Sequence, residues 1–92
     1  MARALVCYDI SDNNRRTALS ALLTEFGPRV QLSVFEVEFT TATQRRTLID
    51  AIRGIIDTDT DQVRIYELPL LATSRTVIGN RVLEERRAFY VI

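Results

Sequence analysis

The stretch RVQLSVFEVEF, residues 29 to 39, alternates apolar and polar side chains, and its phase changes part-way along. Val30, Leu32 and Val34 hold the apolar positions first, then Phe35, Val37 and Phe39 take over. A period of two marks a strand with one buried face, and a one-residue slip exchanges the faces, so a strand with this pattern must break or turn. The break falls near Ser33 and makes two consecutive strands. No glycine marks it, so a tight hairpin and a bulge both remain open.

Upstream, Ala4-Leu5-Val6-Cys7-Tyr8 is continuously apolar, too short for a helix and closed by Asp9, which reads as a strand buried on both faces. Asp9 then stands at its C-terminal end. After Ser11 to Asn14, apolar residues recur at Ala18, Leu19, Leu22, Leu23 and Phe26, one stripe of a helix that Ser11 or Asp12 can cap. Gly27 and Pro28 end it, the glycine as a left-handed cap and the proline as a residue that cannot continue the ladder. Downstream, Thr40 to Thr43 offers caps for a second helix with the stripe Leu48, Ile49, Ile52, Ile55 and Ile56, slightly weakened by Gly54. The loop Asp57 to Asp61 leads to Val63, Ile65 and Leu68, a strand alternating with polar residues and stopped by Pro69.

The order is therefore βαββαβ, which matches the ferredoxin-like α+β plan, an antiparallel sheet with both helices on one face. The other face needs a cover, and a second copy packed sheet against sheet by two-fold symmetry would supply it. Residues 1–92 read as a single domain. Within it, 70–92 carries two further apolar stretches, Thr76-Val77-Ile78 and Ala88 to Ile92, separated by the charged run Arg81 to Arg87. These stretches look like extra strands added at a sheet edge.

Composition removes many chemistries. The chain of 92 residues has no histidine and no lysine, which excludes histidine-based nucleophilic sites, histidine-ligated zinc, Schiff-base lysines and Walker-type loops. Twelve arginines balance 12 acids, so any polyanion site must be a local cluster. The lone Cys7 forms no internal disulfide and reads as a small buried thiol. No run approaches the length of a membrane span and Met1 to Val6 is too short for a signal peptide, which leaves a cytoplasmic protein with no membrane partner as the simplest expectation. Asp57-Thr-Asp-Thr-Asp61 imitates the start of a calcium loop, but Gln62 stands where glycine is needed and Leu68 where glutamate is, so it reads as a polar connection.

Five segments in order carry a resemblance: YDISD (8 to 12), RR (15 and 16), RVQLSVFE (29 to 36), DQVRIYEL (61 to 68) and the tail ending FYVI. With them the chain resembles the small CRISPR-associated adaptation family, the non-integrase, endoribonuclease-like partner in spacer acquisition. The resemblance implies a ferredoxin-like homodimer whose C-terminal segment pairs with the partner subunit. It implies a scaffold that joins the integrase and holds protospacer DNA, and a divalent metal between two copies of Asp9. Metal-dependent endonuclease action on RNA or DNA is the alternative role. One departure is that Ala18 stands where some relatives carry a further arginine.

Asp9 is accordingly the candidate metal ligand. An ionised carboxylate at the end of an apolar strand is costly unless paired, two facing across a dyad would repel, and Mg²⁺ or Mn²⁺ answers both difficulties. Such an ion can activate water and polarise a phosphoryl oxygen. The simpler alternative is that Asp9 caps the first helix. Arg15 and Arg16, at the start of that helix, suit a phosphate clamp, with a solvated helix face as the alternative. Arg29 is expected to approach the same end of the sheet, joined by Ser33 as hydroxyl donor and Phe35 as a ring for base stacking or for the dimer contact. Asp9, Arg16 and Arg29 make up the candidate catalytic set. Arg45-Arg46 and Arg86-Arg87 are further basic pairs, fit for tracking DNA or for pairing with Glu84 and Glu85.

Overall fold

The computed structural model describes residues 2–69 and 76–79. Six elements follow one another: β1 (Ala2–Asp9), α1 (Asn13–Thr24), β2 (Arg29–Gln31), β3 (Val34–Phe39), α2 (Ala42–Ile55) and β4 (Gln62–Leu68). The strands form one sheet in the order β2-β3-β1-β4, with every neighbour antiparallel. This is the ferredoxin-like α+β plan, with β1 central and β4 at an edge.

Strand parity decides what faces the helices. Ala4, Val6 and Tyr8 of β1 join Phe35, Val37 and Phe39 of β3 beneath Leu19 and Leu23 of α1 and Leu48 and Ile52 of α2, and Ile10 closes the core. On the opposite, open face, Arg3, Leu5, Cys7 and Asp9 alternate with that core set, as do Gln62, Arg64, Tyr66 and Leu68 of β4 through their register with β1. β1 is therefore buried fully on one face alone; Leu5 and Cys7 are half-buried. At one end of the open face Arg3 donates to Glu38 at 2.8 Å across the β1–β3 ladder.

The phase slip resolves into both of the devices it left open. Leu32 and Ser33 make a two-residue turn between β2 and β3, and the register is irregular between Arg29 and Gln31. No non-glycine residue among those described has a positive φ, so the turn is not one of the primed types usual in hairpins. Helix starts follow the expected chemistry: the Asp12 carboxylate accepts from the Arg15 amide at 2.9 Å, and the Thr41 hydroxyl accepts from the Gln44 amide at 3.1 Å.

Gly27 has a different role from the left-handed cap expected of it. Its φ is not positive; the need is for close approach. A Cβ there would lie 1.8 Å from the Glu36 carbonyl oxygen, because Phe26 to Pro28 runs against β3, with Glu36 N donating to Pro28 O and Glu38 N to Phe26 O. Within the single chain Thr76-Val77-Ile78 are irregular and exposed, without a ladder among the described residues. The remainder of the 70–92 segment, including Arg81 to Arg87 and Ala88 to Ile92, lies outside the described residues.

Candidate site at the end of β1

Asp9 is the last residue of β1 and is exposed, with no hydrogen-bond or ion-pair partner for its carboxylate among the described residues. The helix cap is Asp12, so capping does not account for Asp9. Nor is its carboxylate desolvated within one chain, because the apolar run that precedes it turns its buried members, Val6 and Tyr8, to the other face. A single chain supplies one carboxylate here, and no group of three or more His, Cys, Asp or Glu among the described residues is placed to hold a metal ion. A lone carboxylate with waters is a chemically acceptable but sparse oxygen donor set for a hard divalent ion, and a second carboxylate would strengthen it.

The two arginines at the start of α1 part company. Arg16 donates to the Ile10 carbonyl at 2.7 Å and to Asn13 Oδ1 at 2.5 Å, which braces the loop directly after Asp9. Arg15 instead grips Asp61, with Nε at 2.7 Å from Oδ2 and Nη2 at 3.3 Å from Oδ1. The Asp61 side chain is fully buried and also accepts from the Asp57 amide at 2.9 Å. The Arg15 hydrogen bond, then the Asp57 and Ser11 amides, hold its carboxyl down at about 2, against an ordinary 3.8, although burial opposes them. Arg15 is thereby tied into the fold at the residue that precedes β4.

Arg29 and Phe35 depart from the expectation. Both lie on the helix-covered face, where Phe35 is 1% exposed and Arg29 8%. The Arg29 guanidinium stacks 5.2 Å from the Phe35 ring centroid and donates to Ser20 Oγ of α1, and its Nε has no partner. A base cannot stack on Phe35, and Arg29 cannot reach a phosphate on the open face. The register irregularity is the reason: it pairs Arg29 with Phe35, placing it on the covered side, and β2 runs from Arg29 toward the Asp9 end and not out of it. Ser33 does lie at that end, its carbonyl accepting from Tyr8 N at 3.1 Å.

Sequence reasoning passed over three residues. Asp61 sat in a loop read as a polar connection, and nothing local signals a partner as distant as Arg15. Arg64 and Tyr66 alternate with Val63 and Ile65, which places them opposite the core, but only the β1–β4 register, Cys7 with Arg64 and Asp9 with Gln62, brings them beside Asp9. Arg64 Nε donates to Gln62 Oε1 at 3.1 Å and Nη1 to Tyr66 Oη at 3.2 Å, and the Tyr66 contact raises the guanidinium pKa further. Cys7 is half-buried on this face, lining a shallow groove with Asp9, Gln62, Arg64 and Tyr66.

The family model for CRISPR associated protein Cas2 matches residues 1–73. The chain belongs to the Cas2 family. A relative from Chloroflexus aurantiacus, named a CRISPR-associated endoribonuclease Cas2, is 42% identical over 74 residues, 80% of this chain and 78% of that protein. Cas2 of Streptococcus pyogenes superposes with a TM-score of 0.71 at 29% identity, covering 82% of this chain and 98% of that one. A chain of a partial Cas6-RT-Cas1–Cas2 complex superposes at 0.69 with 36% identity, covering 90% and 98%. The Cas2 fold is thus found both alone and in an assembly with Cas1 among this chain's neighbours. Among the described residues no helix is long and apolar enough to cross a membrane.

Proposed function

We propose that this chain is the dimeric, nucleic-acid-binding scaffold of a cytoplasmic CRISPR spacer-acquisition complex, joining the integrase to protospacer DNA. A Mg²⁺ or Mn²⁺ ion is held between the two Asp9 carboxylates of the homodimer. The observation that carries the reading is the state of Asp9: an exposed carboxylate at a strand end, without a partner among the described residues, that neither caps a helix nor serves the core. A second copy presenting the same group would create repulsion that a divalent cation removes.

Around that point the chain's own residues divide the work. Arg16 fixes the loop after Asp9 through the Ile10 carbonyl and Asn13 Oδ1, and its remaining N–H groups serve a phosphate. Ser33 offers its hydroxyl at the same end of the sheet. Arg15 is held by Asp61, whose carboxylate offsets its charge, so it serves mainly to anchor the start of α1, and Arg29 is withdrawn from the set by its burial. When bound, the metal would supply Lewis-acid activation of water and of a phosphoryl oxygen. The relative's endoribonuclease name favours a second reading, in which the same carboxylate pair serves a metal-dependent endonuclease acting on RNA or DNA.

Spacer acquisition in cells carrying the cognate integrase and array separates the two. The scaffold reading expects acquisition to vanish on deletion of this protein and to persist with a folded Asp9→Ala variant. Loss with both, together with cleavage in vitro that ends on adding chelator, would make the enzyme the primary role. Acquisition unaffected by the deletion would overturn both readings.

A further inference from the structure

The first turn of α1 runs against a general preference of helices. An N-terminus carries the positive end of the helix dipole and favours acids, yet Asn13, Asn14, Arg15 and Arg16 include two cations and no acid. Arg15 is answered by Asp61, whose carboxylate offsets its charge. Arg16 has no carboxylate partner among the described residues. Its guanidinium is held by two neutral oxygens, the Ile10 carbonyl at 2.7 Å from Nη1 and Asn13 Oδ1 at 2.5 Å from Nη2. A guanidinium fixed by neutral acceptors keeps its charge while losing its freedom. These bonds engage the two terminal nitrogens and leave Nε–H and the second N–H of each terminal nitrogen uncommitted among the described residues.

The two acceptors differ in what fixes them. Ile10 contributes a backbone oxygen that any residue there would supply, whereas the second acceptor depends on the side chain at position 13. Aspartate at that position would offer the same oxygen, suit the helix dipole and pair with Arg16 at i, i+3, so it would be the more stabilising residue. It would also cancel the charge on Arg16. Asparagine keeps the hydrogen bond and forgoes the ion pair. α1 packs on the covered face of the sheet, and Asn13 is exposed. A second copy seated on the open face therefore leaves the start of α1 uncovered.

We infer that Asn13 is a positioning residue for Arg16, fixing the guanidinium beside the loop after Asp9 without neutralising it, so that the fork meets a nucleic-acid phosphate with its full charge. The inference rests on the nucleic-acid-binding reading above and deepens it. Asn13 acts through Arg16, and an amide in place of a carboxylate gives up helix stability to preserve charge.

The test is binding of the full-length protein to a fluorescein-labelled 30-base-pair duplex, by anisotropy, from 50 to 300 mM NaCl, with a thermal melt of each variant. Asn13→Asp, Asn13→Ala, Arg16→Gln and the double variant of Asn13→Ala with Arg16→Gln are compared with wild type. Asn13→Asp is expected to bind about tenfold more weakly, with a salt slope lower by about one per subunit in contact, and to melt at or above the wild-type temperature. A merely structural role does not move affinity and stability in opposite directions. Asn13→Ala is expected to bind about threefold more weakly with the slope preserved, and to add nothing to the loss in Arg16→Gln. Wild-type affinity in Asn13→Asp would overturn the inference, as would an Asn13→Ala loss of the same size with and without Arg16. So would a fall in affinity and melting temperature together in Asn13→Asp. Wild-type affinity in Arg16→Gln would remove Arg16 from the phosphate set and take this inference with it, while leaving the nucleic-acid reading standing. Absence of salt-dependent binding in the wild type would overturn both this inference and the reading on which it rests.

Discussion

Arg29 and Arg64 both lack a carboxylate partner among the described residues, and the sheet places them on opposite faces. Arg29 lies under α1, its guanidinium against Phe35 and Ser20 with Nε unsatisfied. Arg64 lies in the open, held by two neutral acceptors with most of its fork facing solvent. One residue type thus serves two purposes. Beneath the helices the long stem fills space and a π contact offsets part of the desolvation, whereas on the open face the guanidinium stays outside the core. Face, more than residue type, decides which arginine joins the core and which is left outside it.

The largest test of that contrast is packing. Phe35→Ala should destabilise the fold by about 3–5 kcal/mol, whereas Tyr66→Ala on the open face should cost less than about 1 kcal/mol. Urea titrations of both variants measure the difference; similar losses would mean that the open face is as tightly packed as the covered one.

Asp61 tests how firmly Arg15 is tied down. Its folded-state carboxyl sits at about 2, below the ordinary 3.8, so the stabilisation it gives is present above about pH 4 and is lost as pH falls toward 2. Thermal melts should show Asp61→Asn well below the wild type at neutral pH, with the gap closing between pH 4 and 2. A gap that stays constant through that window would mean the Arg15 contact does not depend on the carboxylate charge.

Gly54 lies on neither face of the sheet and calibrates the series. A Cβ there meets nothing within 4 Å, so Gly54→Ala should stabilise α2 and the fold by about 0.5–1 kcal/mol. A loss of stability would mean that something outside the described residues rests against it. The smallest expected effect belongs to Arg29→Met. Methionine fills the space of the stem and leaves no orphan nitrogen, so stability should stay within about 1 kcal/mol of wild type, and DNA affinity should not change. A tenfold loss of affinity in that variant, with the fold intact, would return Arg29 to the binding set and erase the contrast.

The order of elements was legible because periodicity reports burial directly: the α2 stripe, the Leu19 and Leu23 core of the α1 stripe, the two phases of residues 29 to 39 and the stop at Pro69 reappear, whereas Ala18 is exposed and Phe26 packs on the core from beyond the end of α1. What local pattern cannot carry is parity across an irregular register. Counting back from Val30 puts Arg29 among the polar positions, whereas the irregularity before Gln31 pairs it with Phe35 and turns it inward. Asp9 was legible as a strand-end carboxylate. Its exposure was not, because a continuous apolar run implies two buried faces and here one of them is open. Asp61 and Arg64 depend on contacts between opposite ends of the chain, Asp61 with Arg15 and Arg64 with the β1 register, and no short window of sequence contains both members of either pair.

The register of β1 carries one more consequence, for the order of events during synthesis. β1 leaves the ribosome before the other strands of the sheet, yet Arg3 waits for Leu68 and Asp9 for Gln62 before its outer ladder can close. Closing a loop of nearly the whole described chain carries an entropic cost that local helix formation does not share, and topologies rich in such distant pairings fold more slowly. A nascent chain halted within α2 can already dock β3 on β1, but it has no β4 edge and no Arg64 beside Asp9. The groove around Asp9 is therefore absent from every fragment that ends before residue 62 and is completed only after translation has passed the last strand of the sheet.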